Sequence, residues 1–487
     1  MKKTVAFLLI VAITLFAENN KRTKIGIALA GGGALGFAHI GALEVIDSLG
    51  IPIDFVAGTS MGGLVGGFVA MGYSPKEIEN VVLNQINWES LFNDSPSREE
   101  LPFIEKETRA KEQLVLKLAN NYIPQLPEGL IYGQSILTTL LKFTTPFETI
   151  KNFNDLPIPL KVVAVDLVSG KEVVLDKGSL AYAMRSTMSI PTVFSPTDYT
   201  NKLLIDGGVV NNFPVDVVKK MGADVVIGLN LTSPSKGKDE LHDLMSILNR
   251  TMDIPRFNIL NKNIRLSDIY IPQNVDGFTP GDFVPEKITQ LIARGKKAVY
   301  DHLDFFIRLK KKLDNERSKQ IINSVNVDGA ELFTKTQVAK MLGLEIGEAF
   351  DNSKVQNRIA KFTANPFIKK IEAKPIIKGD SVSVDVKIVE NPNPVVLDYD
   401  IYMTGRQKRI DENLFVGVFK SLKNKPLNLN KLFDKIQYLY SFGYFKTIRF
   451  EIFPEGENDI RLLFDISTDY MKEIYFGYNY NDAYHLV

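Results

Sequence analysis

The sequence predicts an α/β protein: a three-layer domain with helices on both faces of a mainly parallel sheet, then two small α+β modules and a terminal strand. Three observations carry this. From Lys24 to about Phe306, short apolar runs alternate with helical stretches, the pattern of strands joined by crossover helices. A repeat follows, with Gly329 and Gly405 in equivalent places 76 positions apart. The last segment, "MKEIYFGYNYNDAYHLV", alternates large and small residues with a two-residue period.

The N-terminal stretch "MKKTVAFLLIVAITLFAENN" sets two lysines before an apolar run from Val5 to Phe16, with Ala17 before polar Glu18. This is the layout of a secretory signal, expected over residues 1–17, and the run falls short of the ~20 residues a membrane span needs. In the α/β domain, expected over 22–306, "IGIALA" (25–30) reads as a buried strand and "GFAHIGALEVIDSLG" (36–50) as a helix closing on Gly50. "IDFVAG" (53–58) is a strand and "MGGLVGGFVAMG" (61–72) a small-residue helix. "KVVAVDLVSG" (161–170) and "DVVIGLNL" (224–231) supply further strands. Between Trp88 and Phe143 an irregular insertion interrupts the pattern, its apolar residues read as packing. "RLKKKLDNERSKQ" (308–320) mixes its signs, so 307–321 is expected to be a solvated helical spacer.

The repeat pairs "INSVNVDGAELFT" (322–334) with "VLDYDIYMTGRQKR" (396–409). Each copy continues with a helical pattern, an aromatic turn and an alternating strand. In "SVSVDVKIVE", Val382, Val384, Val386 and Ile388 share one face; "DIRLLFDIST" (459–468) closes the second copy. A unit of this length is too long for a solenoid repeat and suits two α+β modules, over 322–391 and 395–469. In 471–487, Ile474, Phe476, Tyr478 and Tyr480 fall on one side of a strand, as in an outer-membrane barrel. One strand cannot close a barrel, so a truncated one is expected.

Composition narrows the chemistry. The 487 residues carry a net charge of +1, which excludes a whole-chain basic footprint for nucleic acid. With no cysteine, disulfides, thiolate catalysis and Cys-based zinc sites are absent. No cofactor is expected.

The motif "GTSMG" fits G-x-S-x-G, the sharp strand-to-helix turn that lifts a serine above a sheet. Gly58 and Gly62 relieve crowding there, and Ser60 sits where the next helix aims its N–H groups and positive dipole end. "AGGGALGFAHIG" follows the first strand, and Gly31, Gly32 and Gly33 offer bare amides. These could hold an oxyanion, where losing one donor costs roughly 2.7–4 kcal/mol of barrier. The same letters satisfy G-x-G-x-x-G through Gly31, Gly33 and Gly36, with Asp54 about 20 residues on, so a dinucleotide site is a rival reading. In "LLIDGGVVNNFPVD", Asp206 ends an apolar run before Gly207 and Gly208. A serine nucleophile needs a proton acceptor, and of four histidines only His39 lies near a site segment, where packing suits it better. An aspartate is a weak base, near about 3.9 unperturbed, which partial burial could raise.

"ALAGGGALGFAHIGAL", "GTSMGG", "RSTMSIPTVFSP" (185–196) and "IDGGVVNNFPVD", in this order, resemble the patatin-like phospholipases. The resemblance spans roughly 24–306. It implies a Ser–Asp dyad of Ser60 and Asp206, an oxyanion hole of Gly31, Gly32 and Gly33, and no metal. Relatives often carry Arg or Lys where this chain has Leu35. The modules resemble polypeptide-transport-associated (POTRA) domains, though such proteins usually carry one. Together the parts resemble type V secretion proteins of the patatin class. That resemblance implies export, a barrel in a Gram-negative-type outer membrane, a membrane lipid surface as partner and phospholipid as substrate. Two other functions stay open: a secretion or barrel-assembly protein with a non-catalytic passenger, and a dinucleotide-binding oxidoreductase.

Overall fold

The computed structural model describes residues 22–92, 94, 114–118, 124–125, 128–232, 244–316, 320–405, 412–456, 459–468, 472–476, 480–481 and 485–486. The expected signal segment and most of the heart of the 88–143 insertion lie outside them, as do the side chains of 471–487.

Five strands build the parallel centre of the sheet: β1 (Ile25–Leu29), β2 (Phe55–Thr59), β3 (Leu160–Asp166), β5 (Val225–Thr232) and β6 (Ile269–Asn274). Their order is β6-β5-β1-β2-β3, every neighbour parallel. β4 (Lys202–Asp206) then adds antiparallel to β3, followed by Thr197–Tyr199; Glu172–Leu175 also pairs antiparallel with β3. Each central strand alternates between two cores, as a two-residue period dictates. Ile25, Ile27 and Leu29 of β1 enter one apolar cluster, while Ala28 enters the other with Ala57, Val163 and Val226. The first cluster is covered by α1 (Ala38–Ser48), α2 (Met61–Ala70), α4 (Leu180–Thr187) and α6 (Pro285–Tyr300). The second is covered by α5 (Val215–Lys220) and by Leu260 and Ile264 of the helix Leu244–Leu266. These are the expected layers.

The charged stretch after this domain departs from the expected spacer. Helix α7 (Leu303–Asn315) starts earlier and buries Phe306, Leu309 and Leu313 in the first cluster, leaving its charges outward. Mixed charge marked its wet face; the apolar residues three and four apart mark the packed one.

The two copies of the repeat fold alike. The first runs β7 (Ile321–Asp328), α8 (Lys335–Met341), α9 (Asn352–Thr363), β8 (Ile368–Lys378), β9 (Ser381–Glu390). The second runs β10 (Val395–Gly405), α10 (Glu412–Phe419), α11 (Leu429–Tyr440), β11 (Phe445–Glu455), β12 (Asp459–Thr468). In each, the last strand lies between the other two, parallel to the first and antiparallel to its hairpin partner. Gly329 (φ 83°) and Gly405 (φ 105°) both end the first strand in a left-handed conformation against the backbone of the last one. Val382, Val384, Val386 and Ile388 are all buried, as are Ile460, Leu462, Phe464 and Ile466. No closed barrel is present among the described residues. Lys472–Phe476 instead pairs antiparallel with Leu114–Leu118 of the insertion.

The apolar cluster does not stop at the domain edge. It continues through the Phe147–Phe333 ring pair, 5.6 Å between centroids, into both modules. Helix α7 belongs to the same core, so Leu313→Ala should lower stability by about 2–5 kcal/mol in urea unfolding. A loss under about 0.5 kcal/mol, the range for unremarkable surface positions, would return the helix to a mere spacer.

Candidate active site

Ser60 caps the N-terminus of α2 directly after β2, with φ 53° and ψ −126°. A non-glycine residue at such an angle stores roughly 1–3 kcal/mol of strain, so the surroundings must enforce it. They do so from two sides. The Ser60 N–H donates to Thr187 Oγ1 at 2.8 Å, and that hydroxyl donates onward to the Val163 carbonyl. A Cβ at Gly62 would stand 2.3 Å from the Leu29 carbonyl oxygen, and one at Gly58 2.2 Å from the Gly62 carbonyl, so both positions accept only glycine.

The turn aims the serine at β4. Ser60 Oγ donates to Asp206 Oδ2 at 2.6 Å across 146 residues, and both residues are 5% exposed. Asp206 ends β4; its Oδ1 accepts from the Gly208 N–H at 2.7 Å, and its own N–H donates to the Ser189 carbonyl at 2.9 Å. Gly207 lies against β3, where a Cβ would meet the Val163 carbonyl at 2.3 Å. The structure therefore brings the two sequence-predicted chemical groups into contact.

The glycine loop is only partly as expected. The Gly31 N–H donates to the Asn212 carbonyl at 3.1 Å, so it is committed to structure. Asn212 Nδ2 grips the Gly31 carbonyl at 3.0 Å, and a Cβ on Gly31 would lie 2.8 Å from Ser60 Cβ. Gly32 and Gly33 have no protein acceptor for their N–H groups among the described residues. Two of the three expected amides are thus available. Leu35 is partly buried against the apolar core.

Several residues that hold the site sat unassigned in the quoted motifs. Thr187 lies in "RSTMSIPTVFSP", and Asn211 and Asn212 in "IDGGVVNNFPVD". The Asn211 carbonyl accepts from Thr59 Oγ1 at 2.8 Å, while Asn211 Nδ2 donates to Glu172 and Asp216. Asn263, far from every motif, donates to Asn211 Oδ1 and the Phe213 carbonyl. Arg185, buried and lowered to about 10 by that burial, donates to Ser189 Oγ at 2.7 Å and the Tyr132 carbonyl at 2.7 Å. Membership of a quoted motif was the signal for Thr187, Asn211, Asn212 and Arg185; Asn263 carried none, since its partners lie 52 and 50 positions away.

Asp54, the acid of the dinucleotide reading, lies at the other end of the sheet. It accepts from the Ile25 N–H at 2.7 Å and pairs with Arg22 at 2.7 Å. The length of β1, roughly 3.3 Å per residue, separates it from the glycine loop, so it cannot contact a ribose there. Among the described residues no cluster of three or more metal-binding side chains occurs.

His39 is packed, as expected. It is fully buried on α1, and Nε2 lies 2.8 Å from the Ala30 carbonyl, just before the glycine loop, as the donor of the neutral tautomer. Burial lowers its pKa to about 4. Because the folded value lies below the ordinary 6.5, this contribution to stability is complete above pH 6.5 and is lost as pH falls toward about 4. His39→Gln keeps a donor for Ala30 without the titration. Its melting temperature should therefore fall less than the parent's between pH 7 and pH 4; equal slopes would refute the assignment.

Comparison with known proteins finds relatives of the α/β domain. The Patatin family, described as patatin-like phospholipase, matches residues 27–219, from β1 through α5. The uncharacterized protein YqhO of Bacillus subtilis is 30% identical over 295 residues, covering 55% of this chain and 94% of YqhO. The Drosophila melanogaster neuropathy target esterase sws is 33% identical over 214 residues, 43% of this chain and 13% of that protein. The uncharacterized NTE family protein Mb1092c of Mycobacterium bovis is 28% identical over 223 residues, and the chain spans about half the length (53%) of this relative. By the match over β1–α5, the chain carries a patatin-like phospholipase domain, and the near-complete coverage of YqhO shows that a relative consists almost wholly of the matching part.

Proposed function

We propose that this chain is a lipid acyl hydrolase that cleaves ester bonds of phospholipids through Ser60 and Asp206. The single observation that carries the reading is the 2.6 Å hydrogen bond from Ser60 Oγ to Asp206 Oδ2, made by a serine held at φ 53° on a strand-to-helix turn. Asp206 Oδ2 takes the hydroxyl proton as Oγ bonds to the ester carbonyl carbon. The negative charge that moves to the carbonyl oxygen is met by the Gly32 and Gly33 amides and the positive end of α2. Collapse of this intermediate breaks the ester C–O bond, and the leaving alkoxide takes the proton from Asp206. Water then repeats the sequence on the acyl-serine: its proton goes to Asp206, its oxygen to the carbonyl carbon, and Ser60 recovers its proton as the fatty acid departs. One carboxylate serves both halves, and no metal or cofactor is required.

The rest of the proposal concerns place. Residues 1–17 act as an export signal, and the enzyme unit at 22–306 works at a membrane lipid surface. The segments 322–391 and 395–469 are POTRA-like modules leading to an outer-membrane barrel that begins at 471–487. The tandem β-α-α-β-β topology supports the module reading. It also favours the second function, a secretion or barrel-assembly protein with a silent passenger.

A fluorophosphonate probe separates the two, since only an activated serine reacts. The enzyme predicts labelling of the parent chain and none of Ser60→Ala. Asp206→Asn should retain the fold by circular dichroism and lose at least about a hundredfold in kcat, the lower range for general-base catalysis. Hydrolysis unchanged in either variant would refute the dyad.

A further inference from the structure

The second module reaches the site by way of α4. Strand β11 is the edge of its sheet, and its free backbone groups at Ile448 are met by a side chain of the α/β domain. Gln134, at the start of α3 (Gln134–Thr144), donates from Nε2 to the Ile448 carbonyl at 2.9 Å and accepts from the Ile448 N–H at 2.9 Å. Gln134 is fully buried, and its amide stands in for a neighbouring strand. Lys151 pairs with Glu451 at 2.7 Å on the same strand.

One residue further along, Arg449 extends onto α4. Its guanidinium carbon lies 4.2 Å from the centroid of the Tyr182 ring and 5.6 Å from that of Tyr199, while Asp465 of β12 holds Nε at 2.8 Å. Tyr182 and Tyr199 pack edge-on at 5.1 Å. The Tyr199 hydroxyl accepts from the Ser179 N–H at 2.6 Å, beside the N-terminus of α4. The other end of that helix is Thr187, whose hydroxyl holds the Ser60 N–H, followed by Ser189, whose carbonyl holds the Asp206 N–H. From Tyr182 to Thr187 is five residues, about 7.5 Å of helix. Met184 lies between them against α2, its Sδ 2.6 Å from where a Gly67 Cβ would be.

We infer that Arg449 is a positioning residue for the Ser60–Asp206 pair: docked on Tyr182 and Tyr199, it fixes α4, and α4 fixes the backbone amides of both catalytic groups. This rests on the hydrolase reading above. The consequence is an α/β domain whose turnover depends on the docked second module. A desolvated cation over two aromatic rings contributes more than an exposed one, and here it is the module's own strand that supplies it.

The test uses the full chain with p-nitrophenyl butyrate as substrate and a fluorophosphonate as probe. Arg449→Ala should lower kcat and the labelling rate at least tenfold with KM within twofold, and raise deuterium uptake over residues 180–187 but not over β1 or β5. Arg449→Lys, which keeps a cation over the rings, should recover at least half of kcat. If Arg449→Ala fails to fold, Tyr182→Leu, which leaves the Arg449–Asp465 pair intact, carries the same expectation. Values of kcat and labelling within twofold of the parent, with exchange in 180–187 unchanged, would overturn the inference. A parent chain inert to both ester and probe would sink the hydrolase reading instead, and exchange over 180–187 would then decide the coupling alone.

Discussion

The contact on which the site depends is the buried hydrogen bond between Ser60 and Asp206, and it exists because one loop closes over the end of the sheet. Residues 206–212 touch three elements at once: Asp206 takes the serine hydroxyl, the Asn211 carbonyl takes the Thr59 hydroxyl, and Asn212 grips Gly31 through both its backbone and side chain. The strained turn at Ser60 and the glycine loop are thereby fixed in relation to one carboxylate. Buried polar groups have no water to fall back on, so each contact in this set is costly to break and the geometry is stiff. That stiffness is what the proposed dyad, which has no histidine, would need, since hydroxyl and carboxylate must meet directly.

Packing gives the same result at a larger scale. The core under the sheet runs without interruption into the two α+β modules, and α7 is part of it. The first module contributes Gln337, which donates to the Met71 carbonyl at 3.2 Å beyond the end of α2. The second contributes Arg449. Both modules therefore bear on helices that flank the serine, and the α/β domain is not a unit that can be lifted out without exposing apolar surface and unpaired amides.

Much of this was legible in the sequence, for a physical reason. The turn at Ser60 and the loop at Gly31–Gly33 demand glycine, and Asp206 must end a strand, so each requirement leaves letters at fixed spacing. Four of the five central strands were legible as short apolar runs, and the closing strand of each module by its alternation. What stayed hidden depends on partners remote in the chain. Nothing local says that the Gly31 amide is taken by Asn212, 181 positions away, which leaves the Gly32 and Gly33 amides for the proposed oxyanion hole. Thr187 reads as an ordinary helix-end threonine until Ser60 is placed above it. Arg449 reads as one more charge in the aromatic turn before the last strand, because charge is visible in a sequence and the rings it meets are not; α7 reads as a spacer when its charges alone are weighed, although its apolar residues three and four apart carry the packed face.

The central claim is that Ser60, Asp206 and the amides of Gly32 and Gly33 form one reacting centre. A crystal structure of the full chain after reaction with a fluorophosphonate tests it most directly. The account predicts phosphorus bonded to Ser60 Oγ, with the phosphoryl oxygen within hydrogen-bond distance of the Gly32 and Gly33 N–H groups. An adduct on another residue, or a phosphoryl oxygen turned away from both amides, would contradict it.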